Sequence, residues 1–408
     1  MLRNITKKLA ILLVISAAVA SCKKDKNEPD TEDSSKEFKY LRVLVGDELS
    51  PKLTQIDPSA AAITTYDAKF PLASIYGTAS GRYAAVLYGA QNLVEVFDSG
   101  LQNHDDHVDM VNAPKWAAIT ANGIKPAHFK SKGLESLIFN DGDGTLSSAK
   151  EPDFNTAGAK FKTINAGLLP HHGAMAQFTN GNYAVTTVAA AGAPVNRVKI
   201  INSTGGEVHA SAMEVGAIHG NASDGTNAVF GAFSSASATS GGVLVVNQSG
   251  QQRLIPNPDG LGAFRFGTIL YAGSAKKFIA YGAAKGAYLI DLTANKMTPL
   301  YSGSDAFQCK VDYAGKNLLV LTLDGKLRVY DLSTGSIKKE GNVLAATPSA
   351  DTYKPVLEAT AKFAYIAVPS AGEVQQISLD DFTKVVKHKV SSRPVRLTLL
   401  GFESSESH

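Results

Sequence analysis

The chain has 408 residues, 44% hydrophobic and 19% charged, with a formal net charge of +3. This is an ordinary globular composition, long enough to bury a large core. The small basic excess sits partly in Arg3, Lys7, Lys8, Lys23, Lys24 and Lys26 and leaves no electrostatic footprint for nucleic acid.

At the N-terminus, Arg3, Lys7 and Lys8 precede an apolar run from Leu9 to Ala20, and the run ends in Val19-Ala20-Ser21-Cys22. That is the layout of an export signal, and a small residue before Cys is the pattern of lipoprotein cleavage, with Cys22 lipidated. The run is shorter than the ~20 residues of a spanning helix. Residues 23–37 contain no large apolar side chain and cannot offset the entropy of ordering by burial. The expected organisation is a signal peptide (1–21), a lipidated Cys22 with a disordered linker (22–37), one domain (38–403) and a disordered tail (404–408). The protein is expected to be exported, anchored to the bacterial cell envelope in the periplasm or at the outer membrane, and to touch membrane only through its lipid. With Cys22 lipidated, Cys309 stands alone, so no intrachain disulfide supports the fold.

From Phe38 onward, short apolar or alternating runs are punctuated every 8 to 12 residues by Gly, Asn, Asp, Ser or Pro, the pattern of an all-β protein. A four-strand unit recurs. One copy reads 306–312, 317–322, 326–335 and then Ile337 onward, with related copies at 82–98, 182–202, 277–292 and 363–379. Inner strands are expected to start near residues 72, 126, 171, 218, 263, 306 and 354. Segment 394–400 stands alone at the C-terminus, and 40–45, 53–56 and 63–66 lack an inner strand. Together they complete one blade, which removes the open edge of a linear array. The expected fold is a β-propeller of eight four-stranded blades closed by both termini, with seven blades as the alternative.

Histidines mark one phase of this repeat. His128, His172 and His219 recur 44 and 47 residues apart, the length of one blade unit. In a propeller that phase is the channel mouth, where imidazoles from successive blades face one another and suit a divalent metal. His171 adjoins His172. Between the first two repeats, Asn103-His104-Asp105-Asp106-His107-Val108-Asp109-Met110 offers His104 and His107 as nitrogen ligands, with Asp106 and Asp109 as oxygen ligands or orienting carboxylates. Taken alone, that loop reads as a solvated acidic turn, and each mouth histidine as a packed strand start. Their convergence favours one zinc ion held by three imidazoles and a fourth ligand from the loop. His209 and His388 fall on outer strands, His408 on the tail, and they are given no role. Asp141-Gly142-Asp143-Gly144 reads as a hairpin turn, since the later acidic ligand of a calcium loop is missing. No nucleophile-elbow motif and no phosphate-cradling glycine loop occur. A closed set of four protein ligands leaves no place for water or substrate, so no enzyme activity is expected.

Pro170-His171-His172-Gly173, Ile218-His219-Gly220-Asn221-Ala222-Ser223-Asp224-Gly225 with Val229-Phe230-Gly231, and His104-Asp105-Asp106-His107 resemble the AztD-type periplasmic zinc metallochaperones. Weaker echoes are Pro126-Ala127-His128-Phe129, Leu323-Asp324-Gly325-Lys326-Leu327 and Pro369-Ser370-Ala371-Gly372-Glu373-Val374. The resemblance implies a monomeric propeller that passes zinc to the solute-binding protein of a zinc ABC transporter, with zinc held by His128, His172 and His219 and help from 104–109. The loop is leaner in histidine than the family's, so the resemblance leaves open whether a second, transfer-type site exists, and a lipid anchor replaces the free periplasmic form. Two readings of other classes remain: a metal-dependent propeller hydrolase or lyase with an open water position, and a surface propeller lipoprotein that binds protein or glycan.

Overall fold

The computed structural model describes residues 35–406. The signal segment, Cys22 and His408 lie outside the described residues. The described strands form eight four-stranded antiparallel sheets arranged as the blades of a propeller, together with one two-stranded hairpin.

Burial explains the gradation of sequence across each blade. Second strands such as Tyr83–Tyr88 and Asn317–Thr322 are buried at every position because both of their faces pack on neighbouring blades. They therefore read as continuous apolar runs instead of alternating ones. Outer strands such as Ile337–Asn342 have no buried residue and are polar. The core is distributed as eight apolar clusters, one between each pair of adjacent blades. Two of them straddle the closure: Val43 and Leu397 pack with Phe363 and Tyr365, and Leu44 and Leu400 with Val86 and Tyr88.

The closing blade joins Leu41–Asp47, Lys52–Asp57 and Ala62–Asp67 to the C-terminal Pro394–Gly401. Leu41–Asp47 pairs antiparallel with Pro394–Gly401, Val43 opposite Leu399 and Val45 opposite Leu397. The ring thus has eight blades and is closed by both termini. The other inner strands are Ser74–Gly77, Pro126–Lys132, Met175–Gln177, Ile218–Ser223, Thr268–Ala272, Ala306–Val311 and Val356–Ala359. The largest offset from expectation is at Thr268. Phe264 and Phe266 there occupy the space over Gly282 and in the core, so the chain enters its strand five residues late.

Order extends beyond the boundaries expected from sequence. Glu37 is buried, accepting hydrogen bonds from Tyr365 Oη (2.7 Å), Thr360 Oγ1 (2.8 Å) and Phe38 N (2.8 Å). At the other end, Ser404 O and Glu406 O accept from Tyr40 N and Val108 N.

The histidine loop is the two-stranded hairpin, Leu101–His104 with His107–Met110, and its position corrects the sequence reading. It lies within the second blade, between the third strand Leu93–Asp98 and the fourth strand Lys115–Ala121, and not between two repeats. Arg82 holds its base through Asp98 (2.9 Å) and Gln102 (2.9 Å), while Leu101 and Val108 pack on Tyr40 and Phe402. Asp105 takes a φ of 47° at the tip, a conformation that Asp tolerates through local hydrogen bonding.

Candidate metal centre

Three local devices aim the mouth histidines inward. In Pro126–Lys132, a bulge leaves Ala127 unpaired between Pro126 and His128. In Ile218–Ser223, Gly220 is the unpaired residue after His219. Bulges of this kind re-aim the side chain beside them. Gly220 has a φ of 70°, and a Cβ there would meet the Gly267 carbonyl oxygen at 2.3 Å, so only glycine fits. That same carbonyl accepts a hydrogen bond from His219 Nδ1 at 2.9 Å. His172 lies in the loop just before Met175–Gln177, and Gly173 follows because a Cβ would strike the Phe139 ring at 2.2 Å.

The three imidazoles converge at a pocket of about 370 Å³. His128 Nε2 and His172 Nε2 are 3.3 Å apart, and the His172 and His219 ring centroids are 5.6 Å apart. Tetrahedral zinc with Zn–N bonds of about 2.0–2.1 Å requires ligand nitrogens roughly 3.3–3.4 Å from each other. The His128–His172 pair already has that separation.

Asp141 is the residue the sequence reading missed. Its carboxylate is buried and accepts from His172 Nδ1 at 2.6 Å and from Gly173 N at 3.3 Å. Asp141, His128 and His172 place ligand-type atoms within 4.8 Å of one another. Asp141 engages Nδ1 while His172 Nε2 faces His128, the arrangement in which a carboxylate orients an imidazole and leaves its other nitrogen free. Its signal in the sequence was topological: a second strand ends at the mouth where the inner strand begins, so the first residue of the turn after Glu135–Asn140 lies there.

Electrostatics divide the pair. Burial, then the neighbouring His172, pushes His128 down to about 4, so its imidazole is neutral at physiological pH. The hydrogen bond that His172 donates to Asp141 holds His172 above the ordinary histidine value. Lys130, two residues below His128, is driven down to about 8 by burial.

His171 faces away from the pocket. Its Nδ1 donates to the Leu169 carbonyl (2.7 Å), its Nε2 lies 3.1 Å from Thr186 Oγ1, and its ring packs edge-on against Phe139. His209 and His388 lie on outer strands as expected, although His388 is buried and bonded to Gln376 (3.0 Å).

The hairpin does not complete the mouth site. Asp98, from which it emerges, pairs with Tyr83 at one end of the blade, whereas Gly89, near the Pro126 carbonyl, lies at the other. A six-residue strand, roughly 20 Å long, separates the two ends. His104, His107 and Asp109 form a cluster of their own, with Asp109 Oδ2 3.7 Å from His104 Nε2 and 3.9 Å from His107 Nε2. Asp106 Oδ1 is 2.9 Å from His107 Nδ1 and orients that ring. The expected single site of three imidazoles plus a loop ligand therefore becomes two separate clusters. The four-ligand set expected from sequence is not assembled: three imidazoles line the mouth pocket, and the loop histidines lie in a cluster of their own.

No protein-family model and no curated protein sequence matches the chain. Among solved structures, AztD from Citrobacter koseri superposes with a TM-score of 0.78 at 20% identity, covering 90% of this chain and 100% of that one. Its apo structure gives 0.77 at 20% identity over 90% and 99%. The dihydro-heme d1 dehydrogenase NirN in complex with DHE gives 0.57 at 13% identity over 88% and 74%. The chain has the AztD-like β-propeller fold.

Proposed function

We propose that this protein is a zinc metallochaperone of the cell envelope, carrying zinc as cargo at the channel mouth and passing it to the solute-binding protein of a zinc ABC transporter. The observation that supports this reading most is the His128–His172 pair, set at the nitrogen spacing of a tetrahedral zinc site and backed by Asp141. His219 supplies the third imidazole, its Nδ1 tied to Gly267 so that Nε2 carries the free lone pair. The remaining position gives a partner's ligand a route of entry, so that exchange proceeds before the old bonds break. That open position also suits a metal-bound water, the feature that favours the hydrolase or lyase reading. Transfer to a metal-free solute-binding protein faster than to a dilute chelator supports the carrier, and turnover of ester or phosphoester substrates by the zinc form supports the enzyme.

In this reading His104, His107 and Asp109 form a second zinc site at the opposite end of the blade. The paired variant His104→Ala/His107→Ala is expected to lower zinc stoichiometry from two to one, leave the mouth affinity within about twofold, and slow transfer about tenfold. Unchanged stoichiometry by metal analysis and an unchanged transfer rate would remove the hairpin site.

Export and anchoring through Cys22 belong to the same proposal, motivated by Val19-Ala20-Ser21-Cys22. Cys22→Ser is expected to abolish metabolic labelling with a fatty-acid analogue and to release the protein from membranes. Persistent labelling contradicts the anchor.

A further inference from the structure

Below the histidines the channel changes character. One inward-facing step along Pro126–Lys132 from His128 lies Lys130, whose Nζ donates to the Asn221 carbonyl at 2.9 Å. Lys310 of the inner strand Ala306–Val311 and Arg396 of the closing strand line the same cavity as Lys130, a space of about 560 Å³. Tyr76, Phe129 and Lys130 line both this cavity and the histidine pocket, and the Tyr76 hydroxyl feels the charges of both Arg396 and Lys310. Glu358 is the carboxylate of the cavity and is committed to Lys310, at 2.6 Å. Arg396 spends one N–H on its own strand, donating Nη1 to the Val395 carbonyl at 2.9 Å. Among the described residues neither Lys130 nor Arg396 has a carboxylate partner. Three cations thus face one acid around this cavity, an excess of two positive charges. Burying unpaired charge is costly unless a counter-charge arrives.

We propose that this cavity is a binding site for a small dianionic oxyanion, held by Lys130 and Arg396 with Thr398 and Gln308 as neutral partners. The residue types fit that chemistry. A guanidinium presents a planar fork matched to two oxygens of a carboxylate or phosphate, and an ammonium supplies a point charge from another blade. The volume admits inorganic phosphate or a short dicarboxylate together with water. The site uses none of the proposed zinc ligands: Lys130, which also lines the histidine pocket, and Arg396 come from different blades and need no metal to be cationic.

The test uses the full chain, stripped of metal, in a buffer free of phosphate and carboxylate. Calorimetric titrations are run with inorganic phosphate and, separately, with succinate. One equivalent of at least one of these is expected to bind. Preference for phosphate identifies an inorganic oxyanion as the ligand, and preference for succinate a carboxylate metabolite. Lys130→Met is expected to weaken binding at least tenfold and Arg396→Gln to do the same. Lys130→Arg keeps the charge and should bind within about threefold of the parent, and Lys52→Met, remote on the closing blade, should not differ. Near-UV circular dichroism confirms that each variant is folded. Absence of binding by both anions at millimolar concentration overturns the proposal, as does binding that folded Lys130→Met and Arg396→Gln leave unchanged. Neither result touches the zinc site, which is read by metal titration.

Discussion

Replacing His172 by alanine is expected to lower zinc affinity at the channel mouth by at least about a hundredfold. The substitution removes the imidazole that stands 3.3 Å from His128 Nε2 and leaves a two-imidazole site. Asp141→Asn keeps all three ligands but loses the charged acceptor for His172 Nδ1, and is expected to cost about 10–100-fold, the usual effect of removing an orienting partner. His171→Ala should change affinity by less than about threefold, because that ring bonds to Leu169 and Thr186 and does not itself line the pocket. His209→Ala is the better outer-strand control, since His388 is buried and its loss would perturb packing. The pH dependence follows from the same pair. Asp141 holds the His172 proton above the ordinary value, so on acidification the proton displaces zinc beginning at a pH higher than that of a free imidazole, near 6.5. His128, at about 4, stays neutral over that range and adds nothing to it. Asn at position 141 should therefore shift the fall in affinity to lower pH while reducing its maximum. Equal losses for His171→Ala and His172→Ala in a competitive zinc titration would show that the pocket is built differently.

The blade repeat was legible because burial on both faces writes second strands as unbroken apolar runs, whatever their identity. Asn317–Thr322 and Phe363–Val368 are instances. The phase of His128, His172 and His219 was legible for the same reason, since one blade length returns the chain to the same mouth. What the spacing did not decide was which of two adjacent histidines points inward. Thr186 and Asp141, distant in sequence, settle that by their hydrogen bonds. The destination of the hairpin was hidden because Lys115–Ala121, which follows it, is the outer strand of the same blade. Without strand pairing, an insertion after a third strand cannot be told from one between repeats, and the two place their histidines at opposite ends of a strand. Asp141 was hidden by its turn: Asp-Gly carries enough local chemistry to explain itself. Only the packing of that blade on the next brings the turn beside His172.

Ending the chain after Arg393 is expected to abolish cooperative folding. Pro394–Gly401 is the inner strand of the closing blade, and its removal strips every backbone partner from one edge of Leu41–Asp47. An exposed, flat, apolar edge of that kind invites association with another chain. The truncation also removes Val395, Leu397, Leu399 and Leu400, all buried, the last three from the two clusters that join the closing blade to its neighbours. At about 1.5–3 kcal/mol for each buried aliphatic side chain, the loss is roughly 6–12 kcal/mol. That is as large as the whole stability of a typical domain, about 5–15 kcal/mol. Cutting after Gly401 instead keeps the strand and removes Phe402, Glu403 and the contacts of 404–406 with Tyr40 and Val108. That variant should still unfold in one transition, at a lower temperature. Calorimetry with near-UV circular dichroism separates the outcomes. If the chain ending at Arg393 gave a cooperative melt and a native aromatic spectrum, seven blades would be sufficient and the joining of the termini would not be what holds the ring shut.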